Sequence, residues 1–185
     1  MRVIAGKAGS LQLQCPKGLR IRPTADIIRE TLFNSIGPYV AGAAFCDLYA
    51  GCGSVGIEAA SRGADPVVLI ERDRRAVKAI EANLEHTKLA EAAEIVRGEV
   101  MTLYGDVVRR RGSFEIVFAD PPYLVDELAA LSQRLIVRGE GVVPGGLVVL
   151  QHSTHHDLPD LPEPSKVKGF GESALSFFQV AGEAR

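Results

Sequence analysis

The chain has 185 residues, of which 46% are hydrophobic and 24% charged, with a formal net charge of −2. That length and balance suit one globular domain with a sizeable core, leave no room for a second large one, and give no global electrostatic case for a polyanionic partner. No run of eighteen apolar residues exists, and residues 1–7 lack the apolar stretch of a secretion signal, so a cytoplasmic protein with no membrane partner is expected.

Residues 1–25 hold Arg2, Lys7, Lys17, Arg20 and Arg22 and no acid, a formal +5 that leaves −7 on the remainder. A basic arm on an acidic body points to a polyanion gripped at one place, although composition alone does not separate this from a solvated tail. Residues 2–5 and 11–14 flank a glycine-containing turn and predict a hairpin, so a β appendage over 1–22 precedes a main domain over 23–185. Thr24 is placed to cap a helix in which Ile28, Leu32 and Ile36 recur every fourth residue, with Asp26 in its first turn and Gly37-Pro38 as its stop.

An apolar strand over 44–49 then runs into Gly51-x-Gly53-x-x-Gly56 and a helix over about 55–62. Residues 67–70 form a buried strand ended by Glu71, and Asp73 caps the next helix. Its apolar face carries Val77, Ile80 and Leu84, and its wet face Arg74, Arg75, Lys78, Glu81 and Glu85. Strand 94–97, helix 100–110 and strand 114–119 follow, the last leading directly into Asp120-Pro121-Pro122-Tyr123. A helix over 126–137, a turn over 143–146, strand 147–150 and a terminal hairpin from 166–168 and 175–180 complete the chain. This alternation predicts a doubly wound α/β sheet, with ligands beyond the carboxyl ends of the strands. Cys15, Cys46 and Cys52 have unrelated spacings and read as reduced thiols. His152, His155 and His156 lack partners at ligand spacing and read as part of an exposed loop, so no metal is expected.

The glycines let a ligand approach the main chain at a helix N-terminus, which makes Gly51 and Gly53 candidate contacts to a nucleotide-like cofactor. Glu71, about 20 residues after Gly51, offers paired acceptors to the two hydroxyls of a ribose. Glu99 suits an adenine edge, with a helix-start acid as the bland alternative. Asp47 either assists a cationic cofactor or braces the loop. In Asp120-Pro121-Pro122-Tyr123 the prolines stiffen the turn, so the Asp120 carboxylate and Pro121 carbonyl can address one planar amino group while Tyr123 stacks a base. Two acceptors on an exocyclic amine would orient it and return electron density to a poor nucleophile.

Taken in order, Asp47-x-x-x-Gly51-x-Gly53, the strand-end acid and Asp120 to Tyr123 resemble an S-adenosylmethionine-dependent amino-methyltransferase. Residues 1–6, 19–24, 29–34, 47–59, 61–63 and 120–123 resemble, more narrowly, the RsmD family of bacterial methyltransferases, which act on the N2 amine of a guanine in 16S ribosomal RNA. The resemblance implies a Rossmann-like class I methyltransferase sheet with its last strand antiparallel and a basic N-terminal hairpin that grips RNA, with Arg2, Lys7, Lys17, Arg20 and Arg22 as the candidate contacts; a monomer is expected. It also implies that the substrate is 16S rRNA or an assembling small subunit, with the guanine flipped out and methylated in line. A DNA adenine-N6 or cytosine-N4 methyltransferase shares Asp-Pro-Pro-Tyr. A nicotinamide oxidoreductase fits the glycines alone, and a non-enzymatic assembly factor fits the basic arm.

Overall fold

The computed structural model describes residues 1–16, 25–122, 125–155 and 160–181. They fall into two compact units, Met1–Val100 and Met101–Arg185. In the first unit, α1 (Asp26–Ile36) and a 3-10 turn precede β1 (Phe45–Leu48), α2 (Ser54–Ser61), β2 (Val67–Glu71), α3 (Arg74–Thr87) and β3 (Ala93–Arg97). β1 and β2 are buried at every position, as continuous apolar runs in a parallel sheet must be. They pair in parallel, with Asp47 beside Leu69, and β2 pairs in parallel with β3. α3 buries Val77, Ile80 and Leu84 and exposes the expected charged side. The Asp73 carboxylate caps it, accepting from the amides of Arg75 and Ala76, and these donors together with the Arg75 charge hold its carboxyl below the ordinary value.

The other expected cap, Thr24, falls on a residue that the structure does not describe. The position before α1 is Ala25 without a side-chain cap, and Asp26 meets Arg29 at 2.6 Å. The expected N-terminal hairpin is reduced. Residues 1–16 double back, but among the described residues the two limbs share one isolated bridge, Arg2 to Gln12, with Val3 donating to Leu11 O and Leu13 to Met1 O. Side chains of α2 fasten this segment from outside it. Glu58 is fully buried and accepts from the amides of Ile4 (2.7 Å) and Ala5 (3.0 Å), while Ser61 Oγ accepts from Ala8 N and donates to Ala5 O. Gly6, at φ +84°, crosses α2 so closely that a Cβ would lie 2.0 Å from Ser61 O.

The second unit contains nearly all of α4 (Val100–Arg111), then β4 (Phe114–Ala119), α5 (Val125–Ser132), a π turn over Gln133–Val137, β5 (Val142–Ser153), β6 (Lys166–Phe170) and β7 (Ser173–Gln179). Within the first unit the strands lie in the order β3-β2-β1, and within the second in the order β4-β5-β7-β6. β4 and β5 are parallel, whereas β7 runs antiparallel to both β5 and β6. The turn expected at 143–146 is absorbed into β5. Val142 pairs with Phe114 and Leu147 with Ile116, so Pro144 and the two glycines form an irregularity inside one strand. His152 is not in an exposed loop either. It is buried in β5, its Nε2 2.8 Å from Ser176 Oγ and its Nδ1 2.9 Å from Ser153 O. Arg134 forks onto Glu140 at 2.8 and 2.5 Å, and this contact holds the Glu140 carboxyl below its ordinary range. No helix among the described residues is long and apolar enough to cross a membrane.

Candidate functional site

In the first unit the glycine turn follows from its sequence. Gly51 and Gly53 take φ of +57° and +79°, values that carry the chain from β1 into α2 within a few residues. Gly56 meets a different requirement, close approach. A Cβ there would lie 2.6 Å from Leu69 Cδ2 and 3.2 Å from Asp47 Oδ2. The amide of Gly56 donates to Asp47 Oδ2 at 2.8 Å, so Asp47, 1% exposed, braces the start of α2.

Glu71 at the end of β2 is buried and has both oxygens engaged. Oε2 accepts from Gly51 N and Oε1 from Asp73 N, each at 2.8 Å. A carboxylate oxygen has two acceptor positions, so one on each oxygen remains. The chemistry of this donor set therefore fits a ligand with paired hydroxyls, held by the same group that fixes the turn. Glu99 is exposed and pairs with Arg72 at 3.4 Å. Asp47 and Glu71 thus brace the turn that carries Gly51 and Gly53, and Glu99 instead meets Arg72.

The cysteine expectation is corrected at this turn. Cys15 and Cys52 form a disulfide, with Cα atoms 5.5 Å apart. The reason is the folding back of residues 1–16, which lays Gln14 and Cys15 on the turn. Asn83 of α3 fixes the juxtaposition: Oδ1 accepts from Gln14 N (2.8 Å), and Nδ2 donates to Gln14 O (2.9 Å) and Cys52 O (3.1 Å). Cys46 is free and fully buried, and burial, then the Asp47 charge, push its thiol well above the ordinary value.

In the second unit, Asp120 follows Ala119, which lies beside Leu150 in the β4–β5 register. Asp120 is half-buried and Pro121 buried. Tyr123 lies outside the described residues, as do Lys17, Arg20 and Arg22. Arg2 and Lys7 expose their side chains, and their backbones are anchored to Arg29 and Ser61.

A family model described as Conserved hypothetical protein 95 matches residues 1–179. The chain is 35% identical over 160 residues to the putative rRNA methyltransferase YlbH of Bacillus subtilis (strain 168), covering 86% of each protein. It is 32% identical over 165 residues to ribosomal RNA small subunit methyltransferase D of Escherichia coli (strain K12), covering 88% of this chain and 79% of that one. The chain belongs to the RsmD family. Among solved structures, the putative methyltransferase YhhF of Escherichia coli superposes with a TM-score of 0.82 at 30% identity over 99% of both chains. An RNA methyltransferase of Salinibacter ruber, solved with S-adenosyl-L-homocysteine, shares the fold at 20% identity and a TM-score of 0.70, over 89% of this chain and 97% of that one. The Rossmann-like class I fold follows.

Four residues of this RsmD-family chain escaped the sequence reading: Arg29, Glu58, Ser61 and Asn83. Arg29 is fully buried, donates to Arg2 O at 2.7 Å and lies 3.6 Å from Glu58 Oε2. The available signal was a polar residue inside an apolar stripe. Arg29 follows Ile28, and Asn83 precedes Leu84, at positions that a helix buries.

Proposed function

We propose that this protein methylates the exocyclic N2 amine of a guanine in 16S rRNA, using S-adenosylmethionine, in the bacterial cytoplasm. The observation that carries this reading is Asp120-Pro121-Pro122 at the carboxyl end of β4, in a chain whose relatives are named as rRNA methyltransferases. S-adenosylmethionine supplies an electrophilic methyl group when bound. Gly51 and Gly53 let it approach the main chain, Glu71 takes the ribose hydroxyls on its remaining acceptor positions, Glu99 addresses the adenine, and Asp47 keeps the turn in shape. Asp120 and the Pro121 carbonyl hold the two hydrogens of the guanine amine, and Tyr123 stacks the flipped base. The basic residues of segment 1–22, Arg2, Lys7, Lys17, Arg20 and Arg22, contact RNA phosphates. The substrate is 16S rRNA or an assembling small subunit, and the enzyme acts as a monomer.

Single-turnover transfer to 16S rRNA at saturating cofactor tests the assignment, with mass spectrometry identifying the methylated base. Asp120→Ala is expected to slow transfer by roughly 100-fold or more while calorimetric cofactor affinity changes little. Transfer at the parental rate would reduce Asp-Pro-Pro to a structural turn. A product other than N2-methylguanine would overturn the substrate assignment.

A further inference from the structure

The Cys15–Cys52 bond joins two segments with different tasks, the basic arm and the glycine turn. Its two cysteines are not equally exposed. Cys52 is 3% exposed, between Gly51 and Gly53, whereas Cys15 is half-buried and lines a surface groove of about 400 Å³. The same groove is lined by Arg75 and Lys78, both exposed, and by Ala79 and Ala82. Arg75 also lies 3.6 Å from Asp73, and Lys78 is the second cation of the groove. A carboxylate-bearing thiol would therefore meet the more exposed cysteine of the bond beside two positive charges.

We infer that Cys15–Cys52 is a thiol–disulfide exchange site for small anionic thiols, and that exchange there unlatches the N-terminal arm from the glycine turn. The inference does not depend on the methyltransferase assignment. A thiolate attacks Sγ of Cys15, forming a mixed disulfide and breaking the protein bond. The electron pair leaves on Cys52 Sγ, which takes a proton from water. Cys52 lies just before the N-terminus of α2, where a developing thiolate is favoured, so it is the better leaving group. A second thiolate attacks the mixed disulfide and releases Cys15. Two small thiols are thereby oxidised to one disulfide, and one protein disulfide is reduced to two thiols. Asn83 still links Gln14 to Cys52 through hydrogen bonds, so the reduced arm is loosened, not discarded. In a compartment that keeps thiols reduced, a bond of this kind is transient and redox-sensing.

The test uses the full-length protein, oxidised and then exposed to glutathione or to neutral 2-mercaptoethanol at matched thiolate concentration. Cys46 does not compete as a nucleophile, because its thiol is buried and its acidity suppressed. Glutathione is expected to open the bond about tenfold faster than its neutral counterpart, with the mixed disulfide on Cys15. Arg75→Ala with Lys78→Ala should erase most of that advantage, slowing glutathione more than 2-mercaptoethanol, whose thiolate carries no carboxylate. Hydrogen exchange should rise at residues 11–16 and 51–53 after reduction, and Cys15→Ser should show the same pattern without any reductant. Alkylation of both Cys15 and Cys52 in the oxidised protein would overturn the inference. So would a mixed disulfide on Cys52, equal rates for the two thiols, or unchanged exchange at both segments.

Discussion

Replacing Glu58 with alanine removes the group that fastens the N-terminal arm. Its buried carboxylate accepts from Ile4 N, Ala5 N and Arg62 Nε, and it lies 3.6 Å from the fully buried Arg29. Breaking a buried ion pair from one side costs about 3–5 kcal/mol, because the remaining charge is left uncompensated. Two features keep the loss near that range. Arg29 still meets Asp26 at 2.6 Å, and the arm can peel away so that water reaches the abandoned amides. Against a total stability of about 5–15 kcal/mol, the variant should fold. Its melting temperature should fall by about 6–20 °C for a chain of this size. Urea unfolding gives the free energy, and hydrogen exchange at Ile4 and Ala5 shows whether the arm has detached. Glu58→Gln, which keeps the shape and one carbonyl oxygen, should fall between the parent and the alanine variant. A Glu58→Ala protein within about 1 kcal/mol of the parent, with Ile4 and Ala5 still protected, would refute this account of the arm.

Glu71→Ala should weaken S-adenosylmethionine binding by about 1–3 kcal/mol, since both the ribose acceptors and the brace on Gly51 are lost. Unchanged calorimetric affinity in a folded variant would remove Glu71 from the site. Replacing Arg2 and Lys7 with alanine should lower RNA affinity and flatten its salt slope by up to about two phosphate contacts' worth, with the core and cofactor affinity preserved. An unaltered slope in filter binding would make these two side chains bystanders. Glu140, whose carboxyl is depressed by Arg134, contributes stability that is present above its unfolded pKa and lost as pH falls through its folded value. The stability gap between the parent and Glu140→Gln should therefore be full at pH 7 and shrink well below about pH 4, near the ordinary glutamate pKa. A gap of equal size at both pH values, measured by urea unfolding, contradicts the linkage.

Local chemistry accounts for what could be read from the sequence. The passage from β1 through the glycines into α2, the Asp73 cap and the two faces of α3 depend on neighbours within a few residues. The errors arise where a distant partner decides. The arm doubles back as its sequence suggests, but Glu58 and Ser61, more than fifty residues away, fasten it through the amides of Ile4, Ala5 and Ala8. Pro144, Gly145 and Gly146 have turn composition, but pairing of Val142 and Leu147 with β4 draws them into a strand. The disulfide links residues separated by 37 positions, and no spacing rule could reveal it before the path of the arm was known. Glu71 was selected as a ligand to the cofactor, while its additional task, holding Gly51, became visible only once the turn was folded.

The amide of Asn83 is bound on both sides, its nitrogen donating to the arm and to the glycine turn. Such an NH2 group has slow rotation about its C–N bond and two inequivalent protons, so it should give a resolved pair of side-chain resonances in a nitrogen–proton correlation spectrum. Displacement of Cys52 by ligand entry, or of Gln14 by RNA capture, would shift that pair, which makes one native side chain a spectroscopic gauge of both events without any introduced label.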